Sequence, residues 1–422
     1  GLFGTVSYLM ILDFWKDELC TGCGTCAGVC PHHSLEMNLG LSRFVPIQVR
    51  ACEGCNLCVE ACPGISMNFH HLNTLFFGKV QNDPWLGNYI QCYTGNALDP
   101  EICKKSSSGG VVTALLCNAI ELGLVNGVLL TRMSVENPLK PEVFIARNRE
   151  EIISGSGSKY CPVPFNEDIR KIRNCNEKFA VVGLPCHIHG LRKTETIDKK
   201  LRNKIVFHLG LFCSHTICFN GTTCLLQAMK IQENVVEKLS YRAKGWPGSM
   251  QITLKNDGDV FVPASFYWTL FSKFFFPTRC VFCSDGTNEL ADISFGDAWL
   301  PEFSRGKQGT SVIVSRSKKG EYLLKRASSE KKIEIVMTTP QKVKEAAKNM
   351  LIFKKRKLRA RMIVARLFGI STPNISTFIE NPKPSDYISA FWPFLSLYIS
   401  TNLPSLLRFV ISTYARCKHI KV

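Results

Sequence analysis

The sequence predicts an α+β fold in three parts: a small cysteine-dense module at the N-terminus, an α/β core, and a basic helical C-terminal extension. Two four-cysteine runs lie within residues 20–62, short apolar runs that stop at Gly or Cys recur through the centre, and Lys and Arg accumulate after residue 341. With 422 residues and 45% hydrophobic content, the chain can bury two or three separate cores. The expected divisions are 1–80, 81–178, 179–340 and 341–422, the middle two being parts of one core.

In the first division Cys20-x2-Cys23-x2-Cys26-x3-Cys30-Pro31 is followed by Cys52-x2-Cys55-x2-Cys58-x3-Cys62-Pro63. Each run has the spacing of a bacterial-type ferredoxin module that holds two [4Fe-4S] clusters. Two-residue gaps let three thiolates surround one cubane, and the fourth cysteine reaches the other cube. One cluster therefore takes Cys20, Cys23, Cys26 and Cys62, and the other takes Cys52, Cys55, Cys58 and Cys30. Zinc is met by paired C-x2-C units, not by two four-cysteine runs each closed by Pro. Disulfides between such near neighbours would strain the backbone. Such a module moves single electrons, so the rest of the chain is expected to supply something that exchanges them. Between the runs, the loose alternation of Met37 to Val49 predicts short hairpin elements.

Twenty cysteines, eight of them in this spacing, favour a reducing cytoplasm over a secreted, disulfide-bonded protein. The apolar Gly1–Leu12 stretch lacks the basic start and cleavage site of a signal peptide. The net charge of +18 is uneven: residues 1–80 carry four Lys/Arg against six Asp/Glu, and residues 341–422 carry fifteen against three. A basic centre suits anionic cofactors and a basic tail suits an anionic surface; no nucleic-acid partner is expected.

Through the core, Asn82-Asp83-Pro84 is a turn signal near the first boundary. Ser106-Ser107-Ser108-Gly109-Gly110 before the apolar run Val111–Ile120 reads as a helix start, its N–H groups either capped in the ordinary way or free to hold phosphate. Gly127–Thr131 reads as a buried strand. Gly155-Ser156-Gly157-Ser158-Lys159-Tyr160 is flexible backbone beside a cation and a ring, but not a G-x-G-x-x-G fingerprint, because its sixth position is Tyr. The apolar runs Phe179–Gly183 and Ile205–Phe212 stop at Leu184-Pro185-Cys186 and at Cys213, and Cys280-x2-Cys283 precedes the strand-like Ala291–Phe295. Ligands gather outside the carboxyl ends of strands in an open α/β sheet, so these four cysteines can converge at one crevice. They read either as a metal site or as buried core thiols. His187, His189, His208 and His215 read as core or surface histidines. Cys92, Cys103, Cys117, Cys161, Cys175, Cys218, Cys224 and Cys417 read as structural thiols.

Several of these stretches, in this order, resemble the beta subunits of coenzyme F420-reducing hydrogenase and dehydrogenase. They are Ser107–Val111, Gly157–Tyr160, Gly183–Leu191, Gly210–Cys213, Cys280-x2-Cys283-x-Asp285 and Ala291–Trp299. The resemblance implies FAD, an iron–sulfur cluster beside the flavin, and hydride exchange with the deazaflavin F420 as substrate. On the same ground Cys186, Cys213, Cys280 and Cys283 become ligands of a third [4Fe-4S] cluster. Ser107, Ser108, Gly109 and Gly110 become FAD phosphate contacts, and Ser158, Lys159 and Tyr160 become contacts near the isoalloxazine. The implied activity is an oxidoreductase passing electrons between F420 and one-electron carriers. Family membership alone does not fix a substrate, and the alternatives are a ferredoxin-dependent flavin reductase of an organic substrate or an electron-transfer subunit of a larger complex. An electron-transfer partner protein or subunit is expected in any case, and no catalytic side chain is assigned.

In the extension, residues 342–366 interleave ten Lys and Arg with apolar residues, which reads as one or two basic amphipathic helices. Tyr387–Leu407 carries no charge, yet Pro393, Pro404 and Asn402 make a spanning helix poor. Two readings stand: a helical cap on the core or on a partner subunit, and a peripheral segment at the inner face of a membrane.

Overall fold

The computed structural model describes residues 19–256, 258–304 and 308–417, with side chains described up to Thr413 at the C-terminal end. Gly1–Leu12 and the Cys417 thiol, both read from sequence, lie outside the described residues. At the front, β1 (Leu35–Leu39) and β2 (Phe44–Gln48) pair as the expected antiparallel hairpin, with Leu35 opposite Gln48, and the short β3 (Ser66–Asn68) follows. Next come β4 (Gln91–Ala97), β5 (Gly127–Met133), β6 (Pro141–Ala146), β7 (Phe179–Gly183) and β8 (Ile205–Leu211). A separate antiparallel sheet is built from β9 (Val236–Ala243), β10 (Ser249–Leu254) and β11 (Gly258–Pro263). The chain then lays down β12 (Ile293–Asp297), β13 (Ser311–Ser315) and β14 (Ile333–Thr338), and later β15 (Asn374–Ser376).

The large sheet has eight strands in the order β14-β4-β13-β12-β8-β7-β5-β6. Strands β5, β7, β8 and β12 run parallel. Strand β4 points the same way, because it is antiparallel to β13 and β13 is antiparallel to β12. The carboxyl ends of β4, β7, β8 and β12 therefore open on one edge, where Ser106–Gly110, Cys186, Cys213 and Asp297 lie close in sequence.

Strand periodicity explains why both faces of the sheet are dry. Val128 and Leu130 point into a core shared with helices Val111–Glu121 and Lys318–Ser329. Leu129, Phe179 and Val181 point the other way, onto Ile188 and Leu191 of helix Pro185–Ile197. Burial on two sides is what makes Phe179–Gly183 read as an unbroken apolar run. Leu191 is fully buried, and its truncation to Ala would cost about 2–5 kcal/mol. The strand expected at Ala291–Phe295 runs from Ile293 to Asp297; Asp292, just before it, bonds through its backbone to His208 and Arg316 while its side chain enters a buried ion network.

The extension returns to the front of the molecule: β15 pairs in parallel with β3, Asn374 opposite Ser66. Helix Pro384–Asn402 lays Phe394 and Leu397 against Val281, Phe282 and Ala365, while its outer side exposes Ile388, Phe391, Trp392 and Leu395. Of the ten cations read as the polar face of basic helices, Lys354, Lys355 and Arg361 are buried. The sequence periodicity missed this because a π-helical turn, Ile352–Arg356, shifts the helical phase between Lys348–Leu351 and Leu358–Leu367. Among the described residues no single helix is long and apolar enough to cross a membrane. Helices Pro384–Asn402 and Pro404–Thr413 reach that length and composition only as a pair bent by 99°.

Candidate redox site

The front thiols gather in two adjoining neighbourhoods. Cys20, Cys23, Cys26 and Cys62 lie within electrostatic reach of one another, and Cys58 faces Cys52, Cys55 and Cys30. Burial pushes the Cys20 thiol up to about 12 and the Cys58 thiol up to about 11. Backbone amides are turned onto the sulfurs: Gly22 N–H donates to Cys20 Sγ (3.3 Å) and Ser34 N–H to Cys30 Sγ (3.3 Å). Gly22 does this with a φ of 71°, a conformation open to glycine.

A third set forms at the carboxyl edge of the large sheet. Cys186 opens helix Pro185–Ile197, Cys213 lies two residues beyond β8, and Cys280 and Cys283 come from the short helix Thr278–Val281 and its exit. Burial raises the Cys186 thiol well above its ordinary value, and the neighbouring thiols of Cys23, Cys213, Cys280 and Cys283 add to the effect. Cys213 is pushed up to about 12 by burial, with Lys354 opposing. Among the described residues no three His, Cys, Asp or Glu side chains are arranged to hold a single metal ion. Thiols spaced around a multi-iron core are not expected to converge on one point.

The nearby histidines are core residues. His187 stacks on Phe165 at 5.1 Å, His189 pairs with Asp285 at 2.8 Å, and His215 packs against Phe276 at 5.2 Å. His208 is held between Glu195 (2.6 Å) and Asp292 (3.2 Å). Arg192 and Lys319 complete that buried network on Asp292.

The first and third thiol sets share a wall. Asn166 Nδ2 donates to Thr25 Oγ1 (2.8 Å) and to the His187 carbonyl (2.8 Å), stitching helix Thr25–Val29 to the start of the Cys186 helix. On the same helix, Lys193 Nζ donates to the carbonyls of Cys62 (2.7 Å) and Ser66 (2.8 Å). Arg279, next to Cys280, donates to the carbonyls of Gly64 (2.9 Å) and Pro63 (3.0 Å). Segments that carry the third set thus grip the turn that carries Cys62.

Beside them two loops meet an aromatic cluster. Ser158 N–H donates to Ser107 Oγ (2.8 Å), Ser108 Oγ to the Thr310 carbonyl (3.0 Å), and Gly109 N–H to Ser311 Oγ (3.2 Å). Helix Val111–Glu121 starts at Gly110 without a side-chain cap, which leaves its first-turn amides for another acceptor. Lys159 Nζ folds back onto the carbonyls of Gly155, Ser156 and Gly157 and is pulled down to about 8 by desolvation. Its three donors are used, so it shapes the loop.

Tyr160 packs edge-on against Tyr241 (5.7 Å) and Trp268 (6.3 Å). Arg242 pairs with Asp297 at 2.7 Å, and Trp246 lies 4.4 Å from Trp299. Gly309 sits so tightly here that a Cβ would come within 2.5 Å of Trp246 and 2.9 Å of the Ser108 backbone. The aromatic cluster therefore adjoins the Ser106–Gly110 loop. Two buried donors in this cluster, Arg242 Nη2 and Trp268 Nε1, have no hydrogen-bond partner among the described residues. An arrangement of indoles, idle donors and an uncapped helix start suits a planar ring with an anionic tail. Arg242, Trp246 and Trp268 went unseen in the sequence, since they come from the β9–β11 region and its following helix, where no motif marks them.

Residues 92–170 match the N-terminal part, and residues 176–341 the C-terminal part, of the coenzyme F420 hydrogenase/dehydrogenase beta subunit. The chain belongs to this family. Residues 13–63 match a 4Fe-4S dicluster domain. Within the family, the chain is 28% identical to the coenzyme F420 hydrogenase subunit beta of Methanosarcina barkeri, over 54% of this chain and 79% of that protein. It is 24% identical to a subunit of the F(420)H(2) dehydrogenase of Methanosarcina mazei, over 74% of this chain and 83% of that one. A chain of the F420-reducing [NiFe] hydrogenase complex from Methanosarcina barkeri shares the fold. Its TM-score is 0.55 at 23% identity, covering 69% of this chain and 97% of that one.

Proposed function

We propose that this member of the family is an FAD-dependent iron–sulfur oxidoreductase that passes electrons between coenzyme F420 and a one-electron partner. The observation that carries the reading is the position of Cys186, which faces Cys213, Cys280 and Cys283 of its own set and also Cys23 of the front module. The F420-linked names of the similar hydrogenase and dehydrogenase subunits support the choice of substrate.

A bound flavin supplies the conversion between a two-electron hydride and the single electrons that iron–sulfur clusters carry. The chain's own residues do the positioning. Ser107–Gly110 and the helix start behind them would receive the phosphates, and Ser158 and Tyr160 would lie near the ring. Arg242, with one N–H left without a partner among the described residues, would be available to a flavin acceptor, and the indoles of Trp246, Trp268 and Trp299 would help to exclude water. Cys186, Cys213, Cys280 and Cys283 would hold the third cluster. Cys23 and Cys26 are buried whereas Cys52 and Cys55 are exposed, so the Cys52, Cys55, Cys58 and Cys30 set is the one a partner subunit reaches.

The test is steady-state turnover under anaerobic conditions with protein reconstituted with iron, sulfide and FAD. Reduced F420 is expected to reduce a viologen dye, with the rate lost when FAD is omitted. No response to F420, with the flavin bleached by reduced ferredoxin instead, would favour the ferredoxin-dependent reductase and overturn this reading.

A further inference from the structure

We propose that Lys354 raises the reduction potential of the third cluster, as a fixed cation delivered by the C-terminal extension; this rests on reading Cys186, Cys213, Cys280 and Cys283 as one ligand set. The residue lies past the matched family region, which ends at 341. It sits in the π-helical turn Ile352–Arg356, whose altered phase lets the adjacent Lys354 and Lys355 both point inward. Lys355 is paired with Glu289. Lys354, 1% exposed, has no carboxylate within ion-pair distance among the described residues. Its ammonium instead lies within electrostatic reach of the thiols of Cys213, Cys280 and Cys283.

The turn is held in place by Arg361, whose Nε donates to the Val281 carbonyl (2.8 Å) and whose Nη2 donates to the Phe353 carbonyl (2.7 Å). Its guanidinium also lies over the Phe353 ring at 3.8 Å. Phe394 of the covering helix approaches Phe282 at 6.0 Å and helps to close the site from water.

A buried cation persists only where negative charge answers it. Neutral thiols do not answer Lys354, but four thiolates around an iron–sulfur core do. Reduction adds one more negative charge to that core, so a neighbouring cation favours the reduced state. The other cations near the set already donate to backbone carbonyls: Arg279 to those of Gly64 and Pro63, and Arg361 to those of Val281 and Phe353.

The test is a redox titration of the full, anaerobically reconstituted protein followed by electron paramagnetic resonance. The signal that Cys213→Ala removes identifies the third cluster. Lys354→Met is expected to make its reduction about tenfold less favourable, or about 59 mV lower for one electron. Lys354→Arg is expected to stay close to the unaltered protein, with the front-module signals unmoved in both. An unmoved third potential in Lys354→Met overturns the proposal. If Lys354→Met loses the cluster, retention of iron by Lys354→Arg supports the role of the charge, and loss in both variants overturns it. A protein that saturates at about eight irons before any substitution would instead remove the third ligand set, a failure visible in the iron count alone.

Discussion

A Cβ added at Gly190 would come within 2.0 Å of the Thr25 hydroxyl oxygen. Thr25 stands between Cys23 and Cys26, and Gly190 lies one helical turn beyond Cys186, so this close approach sets the spacing between the buried front set and the third set. Gly190→Val is expected to destabilise the protein by about 1–3 kcal/mol through overpacking. It should also slow reduction of the front module by the core. Equal melting temperatures for variant and parent would contradict the contact.

The ion network on Asp292 gives a stability prediction. Asp292 accepts from His208, Ser317 and Lys319 and lies 3.5 Å from Arg192, and these partners hold its carboxyl well below the usual carboxylate range against the effect of burial. Asp292→Asn leaves Glu195 as the one carboxylate among the described residues facing Arg192 and His208 and is expected to cost about 3–5 kcal/mol. Because the folded pKa is depressed, the contribution is complete above the unfolded value of about 3.9 and declines as pH falls below it. Urea unfolding at several pH values checks both parts, and the variant's acid limb should be flatter.

Arg242→Gln removes the idle donor of the aromatic cluster. A hydrogen bond to a charged group contributes about 1.5–3 kcal/mol, so FAD affinity is expected to fall about tenfold or more. Fluorescence titration of the apoprotein with FAD measures it. Unchanged affinity would place the flavin elsewhere.

Replacing Cys213 with Ala is expected to remove about four irons per chain of about twelve while leaving the front-module signals in place. Colorimetric iron with paired spectra reads the result. Retention of all the iron would show that Cys213 holds none.

Much of this was legible from spacing and pattern. The cysteine runs, the hairpin at Met37–Val49, the strand Phe179–Gly183 and the helix after Gly110 rest on local geometry or on burial of both sheet faces, and both leave marks in sequence. What was not legible depends on long-range packing. Arg242, Trp246 and Trp268 meet across separate elements without a motif, and Lys354 points inward because a π-helical turn breaks the helical period. Lys159, expected near the isoalloxazine from the resemblance, donates to the carbonyls of its own loop, a geometry that composition does not encode.

The central claim is that F420 and the front module communicate through the core. Anaerobic stopped-flow mixing of the reconstituted, FAD-loaded protein with reduced F420 tests it directly. Flavin absorbance is expected to fall first and the broad iron–sulfur absorbance second, and in Cys186→Ala the first phase should persist while the second is lost or strongly slowed. An iron–sulfur response without a flavin phase, or a second phase of unchanged rate in Cys186→Ala, would contradict the account.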